Sequence, residues 1–203
     1  MKFNKVLSIC KGQKLFCLYD DELNNCQWCG TDRALYPLYN YPVYTVDELM
    51  TVASIAEADK EKYVYQTGNL PDGIKSKNAV TDEYQDDIYS VSLNFSGSEI
   101  LKIVHTSRGA MLLPKRYFSP LDKDVTHYIY ERYDNEDNLY FVVKAGFEIV
   151  AILRPEGVFT TYSNADCLKE IALDMAAATE IANEKRNNAS LFDKKQEDNE
   201  DEN

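Results

Sequence analysis

Tyr89-Ser90-Val91-Ser92-Leu93-Asn94-Phe95-Ser96 alternates apolar and polar residues without a break. A period of two marks a strand with one face buried and the other in water. Ser96-Gly97-Ser98 turns this strand into residues 100–104, and Thr106-Ser107-Arg108-Gly109 turns that one into residues 110–113. Residues 125–133 and 139–144 then flank the acidic loop Asp134-Asn135-Glu136-Asp137-Asn138, and residues 147–153 follow an Ala145-Gly146 bend. Strands laid end to end in this way predict an antiparallel meander of about five to six strands.

Helical signals lie on either side of this region. Phe3, Val6, Leu7 and Cys10 share one apolar face, with Gly12 as the predicted stop. Residues 14–19 read as a strand apolar on both sides, residues 20–25 as a turn, and residues 26–29 with 33–38 as the returning second strand. Pro37 and Pro42 place that return at a sheet edge or in a loop. Thr45-Val46-Asp47-Glu48 has the form of a capping box and opens a helix whose apolar face is Val46, Leu49, Met50 and Ala53. Residues 62–66 read as a strand and 68–81 as a loop. Near the C-terminus, Leu168, Ile171, Met175, Ala178 and Ala182 mark an amphipathic helix. The predicted fold is α+β: an antiparallel meander sheet with flanking helices and a C-terminal amphipathic helix. Residues 1–70 (helix, hairpin, short helix) join 82–160 in one domain, followed by the helix at 163–187 and a disordered acidic tail at 188–203.

Composition narrows the function classes. The 203 residues carry 22 Lys+Arg against 34 Asp+Glu, a net charge of −12, and 44% are hydrophobic, enough for a packed core. That charge argues against direct binding of nucleic acid or an anionic membrane. The N-terminal residues lack the continuous apolar run of a secretory signal, and no window approaches the ~20 apolar residues of a membrane span. An odd set of five cysteines in a protein too large to need stapling predicts reduced thiols, and so a cytoplasmic protein.

Several residue groups carry candidate chemistry. Cys26-Gln27-Trp28-Cys29-Gly30 has the CxxCG form of a zinc knuckle, and Cys10 and Cys17 would have to complete four ligands. Their spacing is not that of a second knuckle, so ordinary buried thiols are the favoured reading and no cofactor is expected, with zinc as the minor alternative. His105 and His127 are the two histidines, both in strand-like segments, and no nucleophile or phosphate-loop motif accompanies them. Carboxylates cluster at Asp20-Asp21-Glu22, Asp82-Glu83, Asp86-Asp87 and Asp134 to Asp137, and any one cluster reads first as solvated surface. Together they give the chain a negative field. Asp20, Asp21, Glu22, Asp86, Asp87, Asp134, Glu136 and Asp137 are therefore the candidate partner-binding residues, with no catalytic residue assigned.

Three blocks resemble a family of small acidic proteins found in phages and prophages of gut Firmicutes. They are Gln27-Trp28 with Asp32-Arg33-Ala34-Leu35-Tyr36-Pro37-Leu38, then Lys102 to Pro120 around Thr106-Ser107-Arg108-Gly109, then Tyr140-Phe141-Val142-Val143-Lys144-Ala145-Gly146-Phe147 running to Pro155. No catalytic or binding residue carries over from the resemblance, which implies context only. In that context the expected function is a non-enzymatic, phage-encoded accessory protein that binds a host protein. It would act as an anti-defence inhibitor of an immune effector, an RNA-guided nuclease (anti-CRISPR) being one target for an acidic nucleic-acid mimic. The alternatives are a nucleotide-signal-binding or nucleic-acid-processing protein with a site on the sheet, and a zinc-stabilised structural module.

Overall fold

The computed structural model describes residues 1–77, 84–85, 92–95, 99–106 and 109–155. All of them belong to one compact unit, Met1–Glu156. The helix expected at 163–187, the tail at 188–203 and the Asp86-Asp87 pair lie outside the described residues.

The chain opens with α1 (Phe3–Gln13), which buries Val6, Leu7, Ile9 and Cys10. It runs past the expected stop at Gly12 because Gln13 donates from Nε2 to the Tyr117 hydroxyl (2.9 Å), holding the last turn helical. Lys14 then takes the left-handed cap at φ 54°. Strands β1 (Leu15–Asp21), β2 (Cys26–Gly30) and β3 (Ala34–Pro37) follow as antiparallel neighbours. Residues 26–38 thus form two strands where one was expected, because Gly30 lets the backbone close on itself. A Cβ there would stand 1.9 Å from the Ala34 carbonyl oxygen.

Helix α2 (Val46–Val52) begins at the expected capping box: Thr45 Oγ1 accepts from the Glu48 amide, and Glu48 accepts from the Thr45 amide. The hydrogen bond from the Thr45 backbone is the main reason the Glu48 carboxyl is held below its ordinary range. A 3₁₀ turn (Glu57–Lys62) leads to β4 (Val64–Asn69), which lies parallel to β1. A parallel neighbour needs a crossover, and β3, α2 and the 3₁₀ turn supply it.

The remaining strands are β5 (Tyr84–Gln85), β6 (Ser92–Phe95), β7 (Glu99–Thr106), β8 (Gly109–Pro114), β9 (His127–Tyr133), β10 (Leu139–Ala145) and β11 (Glu148–Leu153). Eight strands form a mixed sheet in the order β4-β1-β2-β3-β11-β10-β9-β5, while β6-β7-β8 form a separate antiparallel sheet. The α+β class holds; the single antiparallel meander does not. The difference arises in two places: β4 lies parallel to β1, and β11 pairs with β3 (Leu35 opposite Ile152, Ala34 opposite Leu153), joining strands more than 100 residues apart. The second pairing also places β3 inside the sheet and not at its edge. Pro37 is tolerated there because β11 pairs only with Ala34 and Leu35 and has left the ladder before Pro37 needs an N–H.

The large sheet is buried on both faces. Phe16, Tyr36, Phe141 and Leu153 point to one side, where α1, α2, the small sheet and the 3₁₀ turn after it (Lys115–Phe118) cover them with Val6, Leu49, Met50, Leu113 and Tyr117. Trp28, Leu35, Tyr140, Val142 and Ile152 point to the other, packed by Leu70 and Ile74 of the segment after β4. Among the described residues no helix is long and apolar enough to cross a membrane.

Candidate functional site

The second face is covered by a strap, residues 70–76, held chiefly by polar ties. The Leu70 amide donates to the Asp20 carbonyl (2.9 Å). Asn24 Nδ2 donates to Ser76 Oγ (3.1 Å), and the Lys75 amide donates to the Tyr140 hydroxyl (3.0 Å). Arg132, buried at 7% exposure, donates from Nη1 to the Lys75 carbonyl. Gly73 has φ 88° and passes so close to the β9–β10 loop that a Cβ would come within 2.8 Å of the Asn135 amide nitrogen. The strap therefore touches both the Asp20-Asp21-Glu22 turn, through Asn24, and the Asp134-to-Asp137 turn.

The predicted carboxylates fall into two kinds. Asp21 is 6% exposed and is structural: it accepts from Trp28 Nε1 (2.9 Å), Asn24 Nδ2 (2.8 Å) and the Leu23 and Asn24 amides. Burial would raise its carboxyl, but the hydrogen bonds from Asn24, Ser76 and Trp28 outweigh it and hold the group below its ordinary range. Asp134 is similar. Its Oδ1 accepts from the Glu136 and Asn138 amides (2.9 Å each), and the Asn138 amide is the chief cause of its lowered pKa. Asp20, Glu22, Glu136 and Asp137 are exposed.

A third turn completes the rim. Thr31 Oγ1 accepts from the Arg33 and Ala34 amides, bracing the hairpin turn that carries Asp32 and Arg33. The Arg154 amide donates to the Arg33 carbonyl (2.7 Å), so the end of β11 brings a second guanidinium to this turn. A cavity of about 170 Å³ lies between the strap and the sheet, floored by Leu35 and Ile152, roofed by Pro71 and Ile74, and bordered by Tyr19, Asp32, Gln66, Arg33 and Arg154. An adjoining cavity of about 480 Å³ shares Asp32, Arg33 and Arg154 with it. Neither Arg33 nor Arg154 was among the predicted site residues. Arg33 stood in the sequence beside the turn, and Arg154 comes to it only by the long-range β3–β11 pairing.

The four cysteines among the described residues do not converge on one point. In an extended strand, residues three apart face opposite sides, so Cys26 and Cys29 of the CxxCG stretch lie on different faces. Cys29 joins Cys10 on the helix side, and Cys26 joins Cys17 on the strap side. Among the described residues no cluster of three potential metal ligands occurs. Cys10 is raised far above the ordinary thiol range by its hydrogen bond with Cys29 and by burial. Cys17 and Cys26 are pushed up to about 11, both chiefly by burial. Burial thus favours the protonated form of these three thiols, which is a poor nucleophile.

Burial lowers the pKa of His127, against the pull of Asp122. Tyr36 is buried and donates to the Tyr117 carbonyl (2.7 Å), while Tyr41 and Tyr44 pack on Phe3. Scans against protein-family models, curated proteins and solved structures find no match to the chain.

Proposed function

We propose that this protein acts by binding another protein through the strap side of its sheet, as an anti-defence inhibitor of a host immune effector. The observation that supports this reading is the strap itself, which touches two of the acidic turns and leaves Asp20, Glu22, Asp72, Glu136 and Asp137 exposed about one loop. Carboxylates held by a fixed backbone present negative charge without the entropy cost of ordering a flexible tail. Such a surface suits the basic groove with which a nucleic-acid-guided nuclease holds its substrate, and charge complementarity raises the rate of encounter. The resemblance to phage proteins supplies the biological setting.

The test is DNA cleavage by RNA-guided nucleases of Firmicutes, with purified protein added before substrate. Inhibition is expected for at least one enzyme. It should weaken as ionic strength rises, because exposed charges more than about 8 Å apart are screened at 0.15 M salt. A combined Glu22→Lys, Glu136→Lys, Asp137→Lys variant is expected to lose it. Inhibition that survives both changes contradicts an acidic contact, and full cleavage across the panel contradicts the nuclease reading.

A further inference from the structure

We propose that the cavity beneath the strap binds a small molecule consisting of one apolar ring or short chain that carries a single carboxylate or phosphate group. The site borders the Asp134-to-Asp137 turn through Arg154 but does not depend on the protein partner. Its walls are apolar, made by Leu35 and Ile152 of the sheet and Ile74 of the strap, and its volume is about 170 Å³, enough for one ring system but not for a large cofactor. Its rim is rich in uncommitted donors. A guanidinium has five N–H donors. Arg33 spends one on the Pro155 carbonyl (2.8 Å) and stands 3.8 Å from Asp32. Among the described residues, the Arg154 guanidinium makes a single long contact, 3.4 Å, to Asp134.

Asp134 does not need that contact, since its Oδ1 already holds the two loop amides and the Asn138 side chain donates to both of its oxygens. Arg154 is thus available to a ligand without loss of the β9–β10 loop. Gln66 is oriented in the same sense: its Oε1 accepts from the Tyr19 hydroxyl (2.8 Å) and the Cys17 thiol (3.5 Å), which leaves its NH₂ group as the donor. Two guanidiniums and an amide at the mouth of an apolar pocket select an anionic head on an apolar body. Asp32 and Asp137 beside the arginines disfavour a polyanion, which limits the head to one charged group.

The experiment follows the backbone amide signals of Leu35, Ile74 and Ile152 in the ¹⁵N-labelled full chain during titration with four probes: phenylacetate, benzyl phosphate, benzyl alcohol and inorganic phosphate. Saturable shifts are expected with phenylacetate or benzyl phosphate at a dissociation constant of about 1 mM or tighter, and at least about tenfold weaker with the other two. The stronger of the first pair identifies the head group. Arg154→Gln should weaken that binding about tenfold or more while leaving the thermal midpoint unchanged. Gln66→Glu, which replaces the donor with a like charge at an exposed position, should weaken it independently. Lys77→Gln, outside the cavity, should leave it unaltered. Equal binding of benzyl alcohol, equal binding of inorganic phosphate, indifference to both substitutions, or no saturable shift with any probe would each overturn the proposal.

Discussion

The two faces of the eight-stranded sheet bury similar side chains but are closed by different forces. On the helix face, α1, α2, the small sheet and the 3₁₀ turn after it set Val6, Leu49, Met50, Leu113 and Tyr117 against Phe16, Tyr36 and Phe141, a continuous apolar layer. On the strap face, Trp28, Tyr140 and Ile152 meet a single loop that supplies Leu70 and Ile74, and hydrogen bonds to the Asp20 carbonyl, Asn24, Tyr140 and Arg132 complete the attachment. Apolar packing is non-directional and adds with area. Polar ties are directional, and each has a small net worth but a large cost when one partner is removed. The helix face is therefore the stable scaffold, and the strap face is where the chain can present exposed charge and an open cavity.

The comparison can be broken most forcefully on the helix face. Phe141→Ala should cost about 3–5 kcal/mol, the range for a fully buried aromatic, read as a lowered midpoint in urea unfolding. Gly30→Ala should also act globally, because the new methyl would meet the Ala34 carbonyl oxygen and the turn would have to open. If either variant only loosened the strap, the division of labour between the faces would be wrong.

On the strap face the expected effects are smaller and local. Asp21→Ala leaves the Trp28 indole N–H and two amides without their acceptor and should cost about 1–3 kcal/mol. Hydrogen exchange should quicken across residues 70–76 while α1 stays protected. The same carboxyl gives a pH signature. Its folded pKa lies below the unfolded value of about 4, so its contribution is complete above that value and fades as pH falls through the lower, folded one. Asp21→Asn should flatten the acid limb of stability in that window, as measured by denaturant midpoints. At the low end, Thr45→Ala removes the cap of α2 and should cost about 1 kcal/mol.

Local patterns were legible and long-range ones were not. The capping box at Thr45, the face of α1, and the β6–β7–β8 and β9–β10–β11 runs could be read because each depends on neighbours in sequence. The β3–β11 pairing could not, since nothing near Leu35 says that Ile152 lies opposite. That one junction joins the N-terminal strands to the C-terminal ones, buries a proline-containing strand and assembles Arg33 with Arg154, while the parallel β1–β4 pair makes the sheet mixed. The candidate carboxylates show the same limit. Asp20 and Asp21 are adjacent and chemically alike, yet one is exposed and the other accepts four hydrogen bonds, because alternation along β1 turns Asp21 toward Trp28. The CxxCG pattern failed for a related reason. A knuckle needs a turn between its cysteines, and here they sit in a strand that sends them to opposite faces.

The most direct test of the account compares the two faces at equal charge. One variant reverses Asp20, Glu22, Glu136 and Asp137 to lysine on the strap side, and a second reverses Asp47, Glu57, Asp59 and Glu61 around α2 and the 3₁₀ turn. Each is expressed in a Firmicutes host whose immune effector restricts a challenge phage, and plating efficiency is scored against the unaltered protein. The account predicts that the unaltered protein and the α2-side variant restore plating and that the strap-side variant does not. Loss of activity in the α2-side variant alone, equal behaviour of the two variants, or no rescue by the unaltered protein would contradict it.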